Sequence, residues 1–84
     1  MASKKAPPAG KFMVEVKQAS TRIMARRFAT MEEAKDFFVR TSEVHQQKAN
    51  REGHAYQVKA VATKDARSSK VVEVLEEREL LPKG

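Results

Sequence analysis

The chain has no cysteine and no tryptophan, and only three glycines and three prolines in 84 residues. Without cysteine there is no disulfide framework, no thiolate metal site and no cysteine nucleophile, which fits a reducing, cytoplasmic setting. The glycines (Gly10, Gly53 and Gly84) are isolated, so no glycine-rich loop is present to cradle a nucleotide phosphate. Aromatic residues are few, four Phe and one Tyr. A core built from these is small, and the ring platforms that stack nucleic-acid bases are missing. No apolar run approaches the roughly 18 residues of a membrane span. Lys4 and Lys5 have no apolar stretch behind them, so the start of the chain does not read as a secretory signal, and no membrane partner is expected.

What is present is a change of period at Thr30. From Phe12 to Arg27 apolar and polar residues alternate, the rhythm of strands. After Thr30, Ala34, Phe37, Phe38, Thr41 and Val44 recur at helical spacing. Thr30 and Glu33 have the spacing of a capping box, in which each side chain serves the other's backbone N–H. Gly53 stands where a left-handed stop residue belongs. A helix is therefore expected over Met31–Glu52. Strands are expected over Lys11–Lys17, Thr21–Phe28 and Tyr56–Thr63, with a tight hairpin between the first two. A last strand is expected from Val71 to Leu75, turning helical near Glu76.

The fold class is α+β: a small antiparallel sheet in ββαββ order with one long helix on one face. Residues 11–81 form this single domain, after a flexible leader over 1–10 rich in Pro and Lys and before a tail over 82–84. Phe12, Val14, Val16, Ile23, Ala34, Phe37, Phe38, Val58, Ala60 and Val72 are the expected core. The second strand is ambiguous in phase. Placing Ile23 and Ala25 inward leaves Arg22 and Arg26 together on the open face, and a register slip reverses this. The second half of the helix, Glu43 to Glu52, is polar nearly all round and reads as projecting into solvent or lying on a partner.

Charge is segregated along the chain. Between Lys11 and Leu81 there are 14 basic and 11 acidic residues, so the domain is only mildly basic. Lys17, Arg22, Arg26, Lys59, Lys64, Arg67 and Lys70 are the candidate cationic surface, able to follow a phosphate backbone or meet an acidic partner. The plain alternative is a solvated sheet face. Glu73, Glu76 and Glu77 with Leu80 and Leu81 form an acidic-apolar end suited to docking on a partner protein, a ribonucleoprotein complex or a second copy.

No catalytic constellation is visible. His45 and His54 lack spaced partners and read as surface groups rather than ligands or bases. Glu32, Glu33 and Asp36 are explained by capping and the helix dipole. The expectation is a small non-enzymatic interaction module or inhibitor that needs no cofactor and acts by occupying a surface. The alternative is a phosphate-backbone binder working from a basic sheet face. Edge-to-edge homodimerisation is open to any sheet of this kind.

Overall fold

A computed structural model describes residues 10–68 and 70–83. Apart from Gly10, the leader expected over 1–10 lies outside the described residues. Five elements follow one another: β1 (Phe12–Gln18), β2 (Thr21–Phe28), α1 (Met31–Glu52), β3 (Tyr56–Thr63) and β4 (Val71–Leu80). The sheet order is β2-β1-β3-β4, antiparallel throughout. β1 is thus flanked by β2 and β3, and α1 carries the chain from one side of β1 to the other.

Local chemistry sets the helix ends. The Thr30 hydroxyl accepts from the Glu33 N–H at 3.2 Å. The return arm of the box differs from expectation: the Glu33 carboxylate takes the Thr30 hydroxyl, not the backbone N–H. Gly53 has φ 75° and its N–H donates to the Ala49 carbonyl at 2.8 Å, a left-handed cap that favours glycine. Gly10 is required for a different reason. A Cβ there would collide with the backbone carbonyl of Phe28, so β1 and the end of β2 approach only because none is present.

The core lies between the sheet and the helix. Val14, Val16, Val58 and Ala60 present one sheet face to Ala34, Phe38 and Ala49. Tyr56 and Leu80 close it at one end. The helix buries Ala34, Phe38, Thr41, Ser42, His45 and Ala49. Val44 is not part of that stripe and is exposed.

Three expectations are corrected here. First, the second half of α1 does not project into solvent. His45 Nδ1 lies 2.8 Å from the Thr41 carbonyl and must donate to it, while the ring meets Tyr56 edge-on at 5.4 Å. Ala49 is fully buried, and Gln46 donates to the Leu81 carbonyl. Second, β4 stays extended to Leu80 instead of turning helical near Glu76, because its backbone pairs with β3 as far as Tyr56↔Leu80. Third, Ile23 and Val72 are not core: they are 45% and 60% exposed. Each sits where the register skips one residue, so each is the extra residue of a bulge. Leu75, the extra residue of a second bulge in β4, packs toward the core instead.

The bulge at Ile23 shifts the phase of β2. Arg26 pairs with Val14, Met24 with Val16 and Phe28 with Phe12, so all three take the helix side. Ala25 and Arg27 pair with Glu15 and Met13 and take the open side. Arg22, beyond the bulge, pairs with Lys17 and returns to the open side. Arg22 and Arg26 therefore lie on opposite faces.

The β1–β2 turn stores strain. Ala19 and Ser20 have φ of 50° and 70°, the left-handed pair of a tight hairpin turn that asparagine and glycine fill best. Joint replacement Ala19→Asn and Ser20→Gly should stabilise the fold by about 1 kcal/mol, read as a higher urea midpoint with unchanged slope.

Tyr56 Oη donates to the Glu52 carboxylate at 2.6 Å, tying the helix end to β3. That bond holds Glu52 below the usual carboxylate range, with burial opposing and Lys48, His54 and Arg51 assisting. A depressed acid stabilises above its unfolded value and loses that contribution as pH falls through its folded value. Tyr56→Phe should therefore be less stable than the parent at neutral pH. The gap should close below the ordinary glutamate range, as urea titrations stepped from neutral to acid pH would show.

Candidate functional site

With Arg26 on the helix side, the cationic set divides into three groups. Arg26 lies with its guanidinium 5.3 Å from the centroid of the Phe37 ring, and Phe37 packs on Phe28 at 5.2 Å. At the opposite edge Arg78 lies over Phe38 at 5.4 Å. The two edge strands thus flank the helix with one arginine each, their stems covering aromatic surface.

The second group is on the open face. Register places Arg22, Lys17, Gln57 and Glu79 in one row across the four strands, and Ala25, Glu15, Lys59 and Glu77 in the next. Arg22 pairs with Glu15 at 3.7 Å and Lys59 with Glu77 at 3.8 Å. This part of the sheet is a mixed-charge ladder, not a cationic plate. It holds a depression of about 100 Å³ lined by Glu15, Lys17, Gln57, Lys59 and Glu77. That is too small for an organic ligand of ordinary size.

The third group is at one end of the sheet. Lys64, Arg67 and Lys70 are exposed in the β3–β4 connection. Asp65 organises that connection: its carboxylate accepts from the N–H groups of Arg67 and Ser68, each at 2.9 Å. The connection closes where the Lys64 N–H meets the Lys70 carbonyl at 3.0 Å. Lys11 lies beside it, its carbonyl accepting from the Thr63 N–H at 2.7 Å.

Arg27, absent from the candidate set, holds this end together. From β2 its guanidinium reaches past β1 to the Thr63 hydroxyl and the Gly10 carbonyl, both at 3.2 Å, and to the Ser68 carbonyl. Met13, Val61 and Thr63, which it crosses, are buried although they lie on the face opposite the helix. One end of the open face is therefore closed. The signal was in the sequence: neighbours on a strand point to opposite faces, so Arg26 and Arg27 could never share one.

The acidic set is more coherent. Glu73, Glu76, Glu77 and Glu79 are exposed along β4, an edge strand, together with Val71, Val72 and Val74. Glu76 and Glu79 make no ion pair among the described residues. Leu81 is exposed next to them, whereas Leu80 is 2% exposed and belongs to the core, a correction to its expected docking role. The two bulges interrupt the free backbone of β4, leaving Glu76–Leu80 as its regular run.

Among the described residues no group of three or more His, Asp or Glu side chains is placed to hold a metal ion. Nor is any helix among the described residues long and apolar enough to cross a membrane. No family model matches the chain, and no curated protein or solved structure does.

Arg27→Ala should release the β3–β4 connection. Charge-assisted hydrogen bonds to part-buried acceptors are lost, at a stability cost on the order of 1–3 kcal/mol. Amide exchange at 64–68 should quicken. Arg27→Lys should recover only part, because an ammonium cannot fork between Thr63 and Ser68.

Proposed function

We propose that this chain is a small non-enzymatic interaction module that occupies a surface of a partner protein or complex, docking through the free edge of β4. The observation that carries this reading is the make-up of that edge. Backbone donors and acceptors over Glu76–Leu80 stand beside exposed Val71, Val72 and Val74 and four glutamates. An extended segment adding to such an edge gains main-chain hydrogen bonds, while the glutamates select one that carries Arg or Lys. The valines supply the apolar contact that charge alone lacks.

A second reading has its own support. Lys11, Lys64, Arg67 and Lys70 gather at one end of the sheet, a compact cationic pole for phosphate. It is narrower than a face-wide phosphate track, since Arg22 and Lys59 are paired with carboxylates and Arg26 is on the other side.

Affinity capture from lysate with and without nuclease separates the two readings. Under the edge reading, a protein partner survives nuclease, is lost with Val72→Lys plus Val74→Lys, and persists with Lys64→Glu, Arg67→Glu and Lys70→Glu combined. The opposite pattern, nuclease-sensitive and dependent on the loop lysines, would replace it with the phosphate reading, and binding would then fall steeply with salt.

A further inference from the structure

Among the described residues the sheet has two free edges, of opposite sign. β2 carries Arg22, Arg26 and Arg27 and no acid, with Ile23 exposed beside them. β4 carries Glu73, Glu76, Glu77 and Glu79 against Arg78 alone. The two strands also run in opposite directions, because the sheet is antiparallel throughout and has an even number of strands. A second copy shifted sideways by the width of one sheet therefore presents its β2 antiparallel to β4 of the first, with both helices on the same side.

The register makes this concrete. Arg26, Val14, Ala60 and Glu76 lie in one row across the sheet, and Arg22, Lys17, Gln57 and Glu79 in another. Continuing each row into a second copy sets Glu76 opposite Arg26 of that copy on the helix side. It sets Glu79 opposite Arg22 of that copy on the open side. In this register Glu76–Arg78 of the regular run of β4 meets Met24–Arg26 of the regular run of β2, with the bulge at Leu75 on one side of that stretch and the bulge at Ile23 on the other. Hydrogen-bonding parity agrees, since it alternates row by row through a continuous antiparallel sheet. The two-fold alternatives are disfavoured: β4 against β4 sets glutamates on glutamates, and β2 against β2 sets arginines on arginines.

We propose that the occupant of the β4 edge is the β2 edge of a second copy of this chain, giving head-to-tail assembly into one continuous sheet. The proposal rests on the reading of β4 as the docking edge and adds its partner. Such a contact is heterologous, so it propagates into a ring or an open chain rather than stopping at two. Edge pairing through Glu–Arg rows also weakens as salt screens it.

Sedimentation velocity on the full chain across a concentration series, at low and high ionic strength, tests this. Species larger than a dimer are expected, growing with concentration and shrinking with salt. Glu76→Arg and Arg26→Glu should each be monomeric alone. Mixed in equal amounts they should associate again, since each keeps one native edge and the altered edges have exchanged charge. Arg26 also stacks on Phe37, so melting curves check that its variant is folded. Glu79→Arg with Arg22→Glu repeats the complementation on the open face. A discrete dimer that persists in either single variant would overturn the head-to-tail arrangement. A labelled peptide of residues 21–28 separates this from the underlying reading. Peptide bound in a Glu76-dependent way by a protein that stays monomeric would overturn self-assembly and leave β4 as a docking edge. No peptide binding and no self-association would overturn both.

Discussion

Everything on this molecule's surface depends on the two-residue period of a strand and on the places where a bulge resets it. A bulge at Ile23 moves Met24, Arg26 and Phe28 to the helix side and leaves Ala25 and Arg27 on the other. Two more, at Val72 and Leu75, turn a valine out to solvent and a leucine toward the core. One extra residue changes which side chains meet water over a whole strand. Cation placement, the closure of the open face by Arg27 and the composition of both edges all follow from these resets.

Local chemistry was readable and long-range pairing was not. Thr30 and Gly53 bound the helix at Met31 and Glu52 as expected, because a cap is satisfied by residues within one turn of it. Tyr56–Thr63 and Thr21–Phe28 also stand where β-branched and alternating residues placed them. Glu76 to Leu80 reads locally as helix, since glutamate and leucine favour it. Only pairing with β3, the other arm of its hairpin, keeps it extended, and no residue within a helical turn of it signals that partner. The burial of His45 was likewise hidden: its polar name conceals a ring edge that packs on Tyr56 once Thr41 takes its N–H.

The candidate surface divides along the same line. Lys64, Arg67 and Lys70 come together because they share one short connection. Arg22 and Arg26 separate because their relation passes through a bulge whose position is set by Lys17 and Val16 on another strand. Lys59 and Arg22 look cationic in sequence but face carboxylates across the sheet. Charge counted along a chain overstates charge presented to a partner wherever cross-strand pairs form. The acidic edge kept its character because, among the described residues, β4 has one neighbour and Glu76 and Glu79 have no cross-strand cation.

The central place of β1 has a consequence for how the chain reaches this state. β1 and β2 meet through a two-residue turn, and β3 and β4 through a short connection, so both hairpins are local and close fast. The β1–β3 ladder is different. It joins strands separated by all of β2 and α1, so closing it carries the largest loop entropy in the molecule. The Phe38 stripe of α1 has nowhere to pack until that ladder exists, and the ladder's helix-side face is bare until α1 covers it. Docking of the two hairpins and burial of the helix are therefore one event, and that event sets the folding rate.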